Sequence, residues 1–451
     1  MSLIQKYNIP APRYTSYPTV PYWDVATFSA EAWMASAVRA FDESNANEGI
    51  SLYIHLPFCE SLCTFCGCNK RITKNHSVEE PYLAAILKEW EMYLSQMAET
   101  PLIRDLHIGG GSPTFFAPAN LRRLMQGILA KAKRHPKASF SFEASPVSIK
   151  REHLAALAEL GFDRVSFGIQ DFDLKVQMAI NRLQPFKMVE RATRWARELR
   201  YRSINFDVIY GLPFQTEASV HDTFAKVQQL RPDRIAYYSY AHVPWIKGNG
   251  QRKFSKEDLP CHEQKRRLYE IGGEHLQEMG YLEIGMDHFA LPEDNLYRAV
   301  IEGTLHRNFM GYVEDRTELM IGLGVSAISD SWYGFAQNEK KLKAYYARLD
   351  ANEIPAFRGH ILTEVDLPLR QHILDLMCRF ETQWQVSGKS PELQACLQRL
   401  REPLADGLVE LMPAHLKVTE AGKPFIRNIG MAFDQRLWAK QPESQLFSLS
   451  I

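Results

Sequence analysis

Net charge is what this 451-residue sequence lacks most plainly: lysine and arginine together number 53, and aspartate and glutamate also number 53. A protein dedicated to nucleic acid carries a basic surplus to neutralise phosphates, so the balance argues against that class. It leaves room for a local basic pocket. Long apolar runs are missing too. The best stretch, residues 319–328, is too short to span a bilayer and is interrupted by glycines, so no membrane insertion is expected. The first eighteen residues are polar and broken by prolines, with no apolar core of a signal peptide, and the expected location is the cytoplasm. Cysteine is scarce outside one place: four of the seven fall between positions 59 and 68. Distributed disulfides do not produce that pattern. Cys261, Cys378 and Cys396 stand alone and read as small packed hydrophobes. No low-complexity tract is present, and no repeat other than a rhythm of strands and helices.

That rhythm is the main thing the sequence does contain. With 45% hydrophobic residues the chain has material for a large core. Strand-like segments at 51–56, 106–108, 139–143, 164–170, 205–210 and 234–240 alternate with helical patterns at 81–97, 120–134, 151–160, 188–199 and 219–230. Alternation of this kind predicts parallel βα units, and six of them predict a partial (β/α)6 barrel, an α/β fold. Residues 1–50 lack the rhythm and read as an N-terminal extension. Residues 51–340 read as the barrel with a helical continuation, in which 263–279 is the clearest helix. Residues 341–451 read as a mainly helical C-terminal domain. Its 408–419 stretch suits a hairpin beside a helix, as in a winged helix. DNA binding is one reading of that pattern, but the balanced charge favours a packing or lid role.

The cysteine cluster, Cys59, Cys63, Cys66 and Cys68, follows directly on the first predicted strand. A structural zinc site needs four ligands, usually as two separated pairs, and no partner pair exists elsewhere. A redox CxxC pair would leave two cysteines unexplained. Three thiolates holding an iron–sulfur cluster leave one iron open, and that iron can chelate the amino and carboxylate groups of S-adenosylmethionine. The CxxxCxxC spacing at Cys59, Cys63 and Cys66 resembles the radical S-adenosylmethionine superfamily. Cys68 as a fourth ligand would close the open iron, so it reads as a structural or substrate-facing residue.

In barrels of parallel strands the active site lies at the carboxyl ends of the strands. Those ends carry Gly109, Gly110, Gly111 and Ser112 after the second strand, then Glu143, Gln170 and Asp207, and the run Tyr240, Ala241, His242 after the sixth. Glycines there admit close backbone approach to a ligand. Polar groups recurring at successive strand ends suit a shared polar ligand. Arg182 can answer a carboxylate with paired hydrogen bonds. Tyr53 and Phe65 flank the cysteines and can pack on a ring; ordinary core packing is the alternative for both. The run GLGVSA at 322–327 lacks the strand–helix context and the acidic residue of a dinucleotide fingerprint, so a nicotinamide site is rejected.

Nine segments in order, PRYTSYPT (12–19), YIHLPFC (53–59), CTFCGCNK (63–70), GGGSPT (109–114), GIQDF (168–172), NFDVIYGLP (205–213), MDHFA (286–290), HRNF (306–309) and GLGVSAIS (322–329), resemble the oxygen-independent coproporphyrinogen III oxidase (dehydrogenase) family over essentially the whole chain. The resemblance implies oxidative decarboxylation of two propionates of coproporphyrinogen III to the vinyl groups of protoporphyrinogen IX, in heme biosynthesis. It implies one [4Fe-4S] cluster and two molecules of S-adenosylmethionine. Carried over by position, Tyr53, Gly110, Glu143 and Ile328 would contact the first molecule. Phe65, Gly111, Ser112, Gln170, Arg182, Asp207 and Ala241 would contact the second. Tyr53, Glu143, Phe309 and Met310 form the expected catalytic set, and His306, Arg307, Phe309 and Tyr312 the expected local set for a substrate with four carboxylates. Met310 stands where well-studied members have Gln. Ser112 replaces a Thr and keeps the hydroxyl, and Ser145 replaces an Asp. A monomer is expected, with a tetrapyrrole substrate and an electron donor and acceptor that the sequence does not identify. A heme chaperone that retains the cluster, or another radical reaction on a tetrapyrrole, are the competing readings.

Overall fold

The computed structural model describes residues 2–244, 250–251, 253–386, 390–442 and 446–450. Six strands, β1 (Ile50–Leu56), β2 (Leu102–Gly110), β3 (Lys133–Ala144), β4 (Arg164–Gln170), β5 (Ser203–Tyr210) and β6 (Arg234–Ser239), lie side by side in chain order. Every neighbouring pair among them is parallel, with helices in the crossovers. The α/β expectation therefore holds.

Side chains alternate along each strand, and this is what gives the barrel two different faces. Leu52, Ile54 and Leu56, then Leu106 and Ile108, Phe140 and Phe142, Val165 and Phe167, and Ile204 and Phe206 are all buried in one core beneath the helices. Burying each such side chain stabilises by about 1.5–3 kcal/mol, and a one-residue slip would turn the whole set to the other face, so the register is strongly specified. The residues between them point the other way. Asp105 and His107, Ser141 and Glu143, Arg164 and Ser166, Asn205 and Asp207, and Arg234 and Tyr238 line an interior cavity of about 240 Å³. The helices close the outer layer by the same logic. Pro118–Leu129 begins with proline, where a missing N–H costs nothing, and buries Leu121, Leu124, Met125 and Ile128 at helical spacing.

Two expectations are corrected. The helix expected over 120–134 stops at Leu129, because Lys133 already donates to the Pro101 carbonyl at 2.7 Å and opens β3. Pairing with β2 overrides the helical preference of that Lys- and Ala-rich stretch. The region after 255, expected to be helical, adds six strands to this sheet among the described residues: β7 (Leu282–Gly285), β8 (His288–Ala290), β9 (Leu319–Leu323), β10 (Ile328–Ser331), β11 (Gly334–Asn338) and β12 (Ala356–Ile361). One continuous sheet runs β12-β11-β10-β9-β1-β2-β3-β4-β5-β6-β8-β7. β9 is parallel to β1, and the outer strands are antiparallel. The expected division at 340–341 thus falls inside the sheet, since β12 pairs with β11. Strands of three to six residues leave little local signature.

Residues 1–50 pack partly on the barrel and partly on the C-terminal unit. Ser29 caps the helix Ala30–Ser44, whose Trp33, Ala37, Ala40 and Phe41 enter the main core. Further upstream, Tyr7, Tyr14 and Tyr17 enter a second core with Ile373, Leu376, Leu408, Ile426 and Phe433 of the C-terminal unit. The hairpin expected at 408–419 is present as Val409–Met412 and His415–Val418, with Glu381–Gln383 as a third strand.

Candidate active site

The cysteine loop leaves β1 and is fastened at both ends and in the middle. Phe58–Cys59 pairs in parallel with Arg71–Ile72, which closes the loop into a ring. Between these, Thr64 bonds the carbonyls of Ile180 and Ala179 through its backbone and hydroxyl, each at 3.0 Å, and Asn181 holds the Leu62 carbonyl at 2.7 Å. Lys70 Nζ donates to the Cys66 carbonyl at 2.9 Å. Cys59, Cys63 and Cys66 are all half-buried and free of disulfides, while Cys68 is exposed.

Two effects act on these thiols. Burial, reinforced by Cys66 and Cys63, pushes the Cys59 thiol up to about 12. A hydrogen bond from Cys68 pulls Cys66 down instead. Arg182 Nη1 donates to Cys63 Sγ at 3.6 Å, which fixes the arginine beside the loop. Three free thiols on one loop are the donor set of a polynuclear iron–sulfur cluster, in which each thiolate binds its own iron.

The glycine turn after β2 is stitched to this loop. Gly111 N donates to the Leu56 carbonyl at 2.8 Å and Ser112 N to Phe58 at 3.0 Å. A Cβ on Gly111 would lie 2.6 Å from the Pro57 backbone and 3.0 Å from Cys59 Sγ, so only glycine lets the two turns meet. Gly110 adopts φ +117°, open to glycine alone, and its Cβ would enter the His55 ring. Gly110 N donates to Glu143 Oε2 at 3.2 Å, which joins the second and third strand ends.

Below the loop, Tyr53 stacks on His107 with centroids 6.1 Å apart and shares a hydrogen bond of 3.0 Å with His55. His55 in turn meets the Asn69 carbonyl at 2.9 Å, so the ring beneath the cluster loop is tied to the loop itself. Tyr53 pairs with Gly322 across the β1–β9 junction, and the Ile328 carbonyl lies 2.4 Å from where a Gly322 Cβ would be. That contact brings Ile328 beside Tyr53. On the other side Gln170, at φ +66° in a register shift of β4, lies with Arg182 against Gly168. Arg182 Nη2 donates to the Gly168 carbonyl at 3.0 Å. Asp207 accepts from Ser166 at 3.0 Å and from Asn205 at 2.9 Å, and burial with the nearby Glu143 pushes its carboxyl up to about 6.

The comparisons bear on this geometry. A model of the Radical SAM superfamily matches residues 53–227, which hold the cysteine loop and the first five strands. The chain is 37% identical to the oxygen-independent coproporphyrinogen III oxidase of Synechocystis sp., covering 100% of this chain and 97% of that protein. It is 39% identical to the protein of that name from Escherichia coli, over 98% and 96% of the two chains. The chain belongs to the oxygen-independent coproporphyrinogen III oxidase family. The solved coproporphyrinogen III oxidase of Escherichia coli, a radical SAM enzyme, has this fold with a TM-score of 0.88 and 37% identity, covering 94% of this chain and 97% of that one. A family member of this kind works with a [4Fe-4S] cluster and S-adenosylmethionine. Among the described residues no helix is long and apolar enough to cross a membrane.

The expected residues of this oxidase-family site are not all together. Tyr53, Gly110, Gly111, Glu143, Gln170, Arg182 and Asp207 share the rim around the cysteine loop. Ser112 bonds Thr114 at 3.1 Å within the glycine turn. Phe65 packs on the cluster formed by Val176, Ile180, Leu212 and Tyr240, and Ala241 lines a second cavity beyond it. Met310 lines the interior cavity, but Phe309 stacks edge-on between Trp23 and Phe335, at 6.2 and 6.1 Å. Two members of the expected local set, His306 and Arg307, are buried. His306 is buried, and burial with Arg316 and Arg370 drives it down to about 3, so it carries no charge. Arg307 is buried over Tyr312 and donates to the Arg13 carbonyl. His55, His107, Ser166, Asn205 and Tyr238 escaped the sequence reading. Their signal is the period-two spacing of polar residues along strands whose other face is apolar.

Proposed function

We propose that this chain oxidatively decarboxylates two propionate side chains of coproporphyrinogen III to the vinyl groups of protoporphyrinogen IX, in heme biosynthesis. The observation that carries the reading is the three-cysteine loop seated against Gly111 at the carboxyl ends of the parallel strands, above a polar interior. Cys59, Cys63 and Cys66 would hold the cluster, which supplies the electron that splits S-adenosylmethionine into methionine and a 5′-deoxyadenosyl radical.

The chain's own residues position and seclude that chemistry. Gly110 and Gly111 offer backbone at van der Waals range, and Glu143 and Asp207 present carboxylates to an ammonium or ribose. Tyr53, its phenol kept protonated by burial, offers a ring and a neutral hydroxyl. Arg182 beside Cys63 suits a carboxylate. Rim residues on both sides of the loop support two S-adenosylmethionine molecules, Tyr53, Gly110, Glu143 and Ile328 serving one, and Phe65, Gly111, Ser112, Gln170, Arg182, Asp207 and Ala241 the other. In each decarboxylation the 5′-deoxyadenosyl radical would take one hydrogen atom from the propionate carbon that is β to the carboxylate, becoming 5′-deoxyadenosine, and the substrate radical would lose carbon dioxide and give one electron to an acceptor to leave the vinyl group. We place the protein in the cytoplasm as a monomer.

Anaerobic incubation of the reconstituted protein with reductant, S-adenosylmethionine and coproporphyrinogen III is expected to give protoporphyrinogen IX and two equivalents of carbon dioxide. S-adenosylmethionine cleavage without vinyl formation would overturn the reading. Stoichiometric heme binding without turnover would point to a chaperone instead.

A further inference from the structure

Beside the cysteine loop, a cavity of about 910 Å³ opens between segments far apart in the chain. Its walls are Tyr210 and the 239–243 run at the ends of β5 and β6, Lys265 and Tyr269 of the helix His262–Glu278, Arg13 of the N-terminal arm, and Arg427. Gln251 joins the cavity edge to the cysteine loop, donating to the carbonyls of Ala241 at 3.1 Å and Phe65 at 3.2 Å. The size lies within the range of cavities that enclose a whole cofactor-sized ligand.

The charge here departs from the neutral balance of the whole chain. Seven lysines and arginines line the cavity against four acids. Arg13 is paired with Asp287, and Arg266 with Glu270 at 2.9 Å. Arg427, by contrast, is buried and donates only to oxygens of Ala11, Pro12, Ser448 and Leu449, with no carboxylate. Among the described residues Lys265 donates to the Tyr240 carbonyl alone, at 2.8 Å, and no carboxylate lies within ion-pair distance of it. Two of its N–H groups are left for a ligand. The lysine stem is held in place by Gly211, at φ +83°, where a Cβ would lie 2.7 Å from Lys265 Cε. The ammonium stands 5.9 Å from the Tyr210 ring centre, so a cation and an aromatic wall face the same space.

Half-buried cations without counterions call for an anion, and an aromatic-walled cavity calls for a flat or cupped ring system. We propose that this cavity holds the propionate carboxylates of the tetrapyrrole that do not react, with Lys265 as the residue that receives one of them. The inference rests on the decarboxylation reading above. Glu283, also in the wall, would face away from these carboxylates or repel them, which restricts the orientations in which a four-carboxylate ring can sit.

The test uses cluster-loaded enzyme. Lys265→Met keeps the stem and removes the charge, and is expected to raise KM for coproporphyrinogen III at least about tenfold while kcat changes less than about threefold, with iron content unchanged. A KM equal to wild type overturns the inference. A second measurement needs no variant: acetic anhydride labelling of Lys265, read by mass spectrometry, is expected to fall several-fold with coproporphyrin III and not with its tetramethyl ester. Equal labelling with and without coproporphyrin III, or equal protection by the ester, overturns it. No turnover by the wild type brings down the decarboxylation reading and this inference together. Turnover with an unshifted KM in the variant removes the inference alone.

Discussion

The cluster rim and the large cavity sit side by side and are built in opposite ways. Each turn of the rim is contiguous in sequence: the three cysteines occupy eight consecutive positions and the glycines three. Backbone hydrogen bonds fasten those turns together, and the side chains are small. The cavity draws Arg13, Tyr210, Lys265, Asp287 and Arg427 from five distant segments, and its shape depends on long side chains. The difference teaches where each part is vulnerable. The rim fails when a backbone approach is blocked, and the cavity fails when a single charge or clasp is removed.

The sharpest way to break the comparison is at the rim. Cys59→Ser, Cys63→Ser and Cys66→Ser are each expected to abolish iron binding and activity, while Cys68→Ser keeps most of the iron. Equal iron loss in all four, by metal analysis, would refute the three-ligand assignment. Gly111→Ala tests the same region by geometry: the added carbon would strike the Pro57 backbone and crowd Cys59 Sγ, so activity should fall about 100-fold or more. Gly273→Ala, in the helix His262–Glu278 with nothing near its added carbon, serves as the silent control.

The clasp on the cavity side gives a smaller effect. Arg427 collects carbonyls from the N-terminal arm and the C-terminal segment, which also meet in the Pro10–Leu449 bridge. Arg427→Met is expected to cost about 2 kcal/mol in urea unfolding and to make both segments sensitive to limited proteolysis. Unchanged proteolysis would show that the second core holds them without the clasp.

The smallest effect lies under the rim, at Asp207. Its folded carboxyl sits at about 6 against an ordinary 3.8. Between those values the folded chain retains a proton that the unfolded chain has lost. Its contribution to stability is therefore greatest below about 3.8, and is lost as pH rises through about 6. Asp207→Asn removes that dependence, and the drop in Tm between pH 5 and pH 8 is expected to shrink by about 3 °C. An unchanged drop would mean that Asp207 is not proton-linked to folding.

How much was legible follows from the same contrast. The six parallel strands announce themselves because helices join them in turn and each alternates apolar and polar residues over its length. Strands β7–β12 are three to six residues long, and Leu319–Leu323 is buried throughout, so no alternation marks it. The cysteine spacing carries its chemistry on its face. His306 does not: an unperturbed histidine titrates just below neutrality, and only burial beside two arginines drives it down to about 3.

The cysteine spacing, the glycine turn and the α/β class were legible in the chain itself, because these depend on residues adjacent in sequence and on the periodicity of strands. Tertiary structure decided which polar residues share the interior, why Phe309 turns to Trp23 while Met310 faces the lumen, and how Lys265 comes to lack an acidic partner. Burial and counterion choice are properties of neighbours in space. A linear sequence with as many acids as bases conceals a local surplus that appears only when distant segments meet.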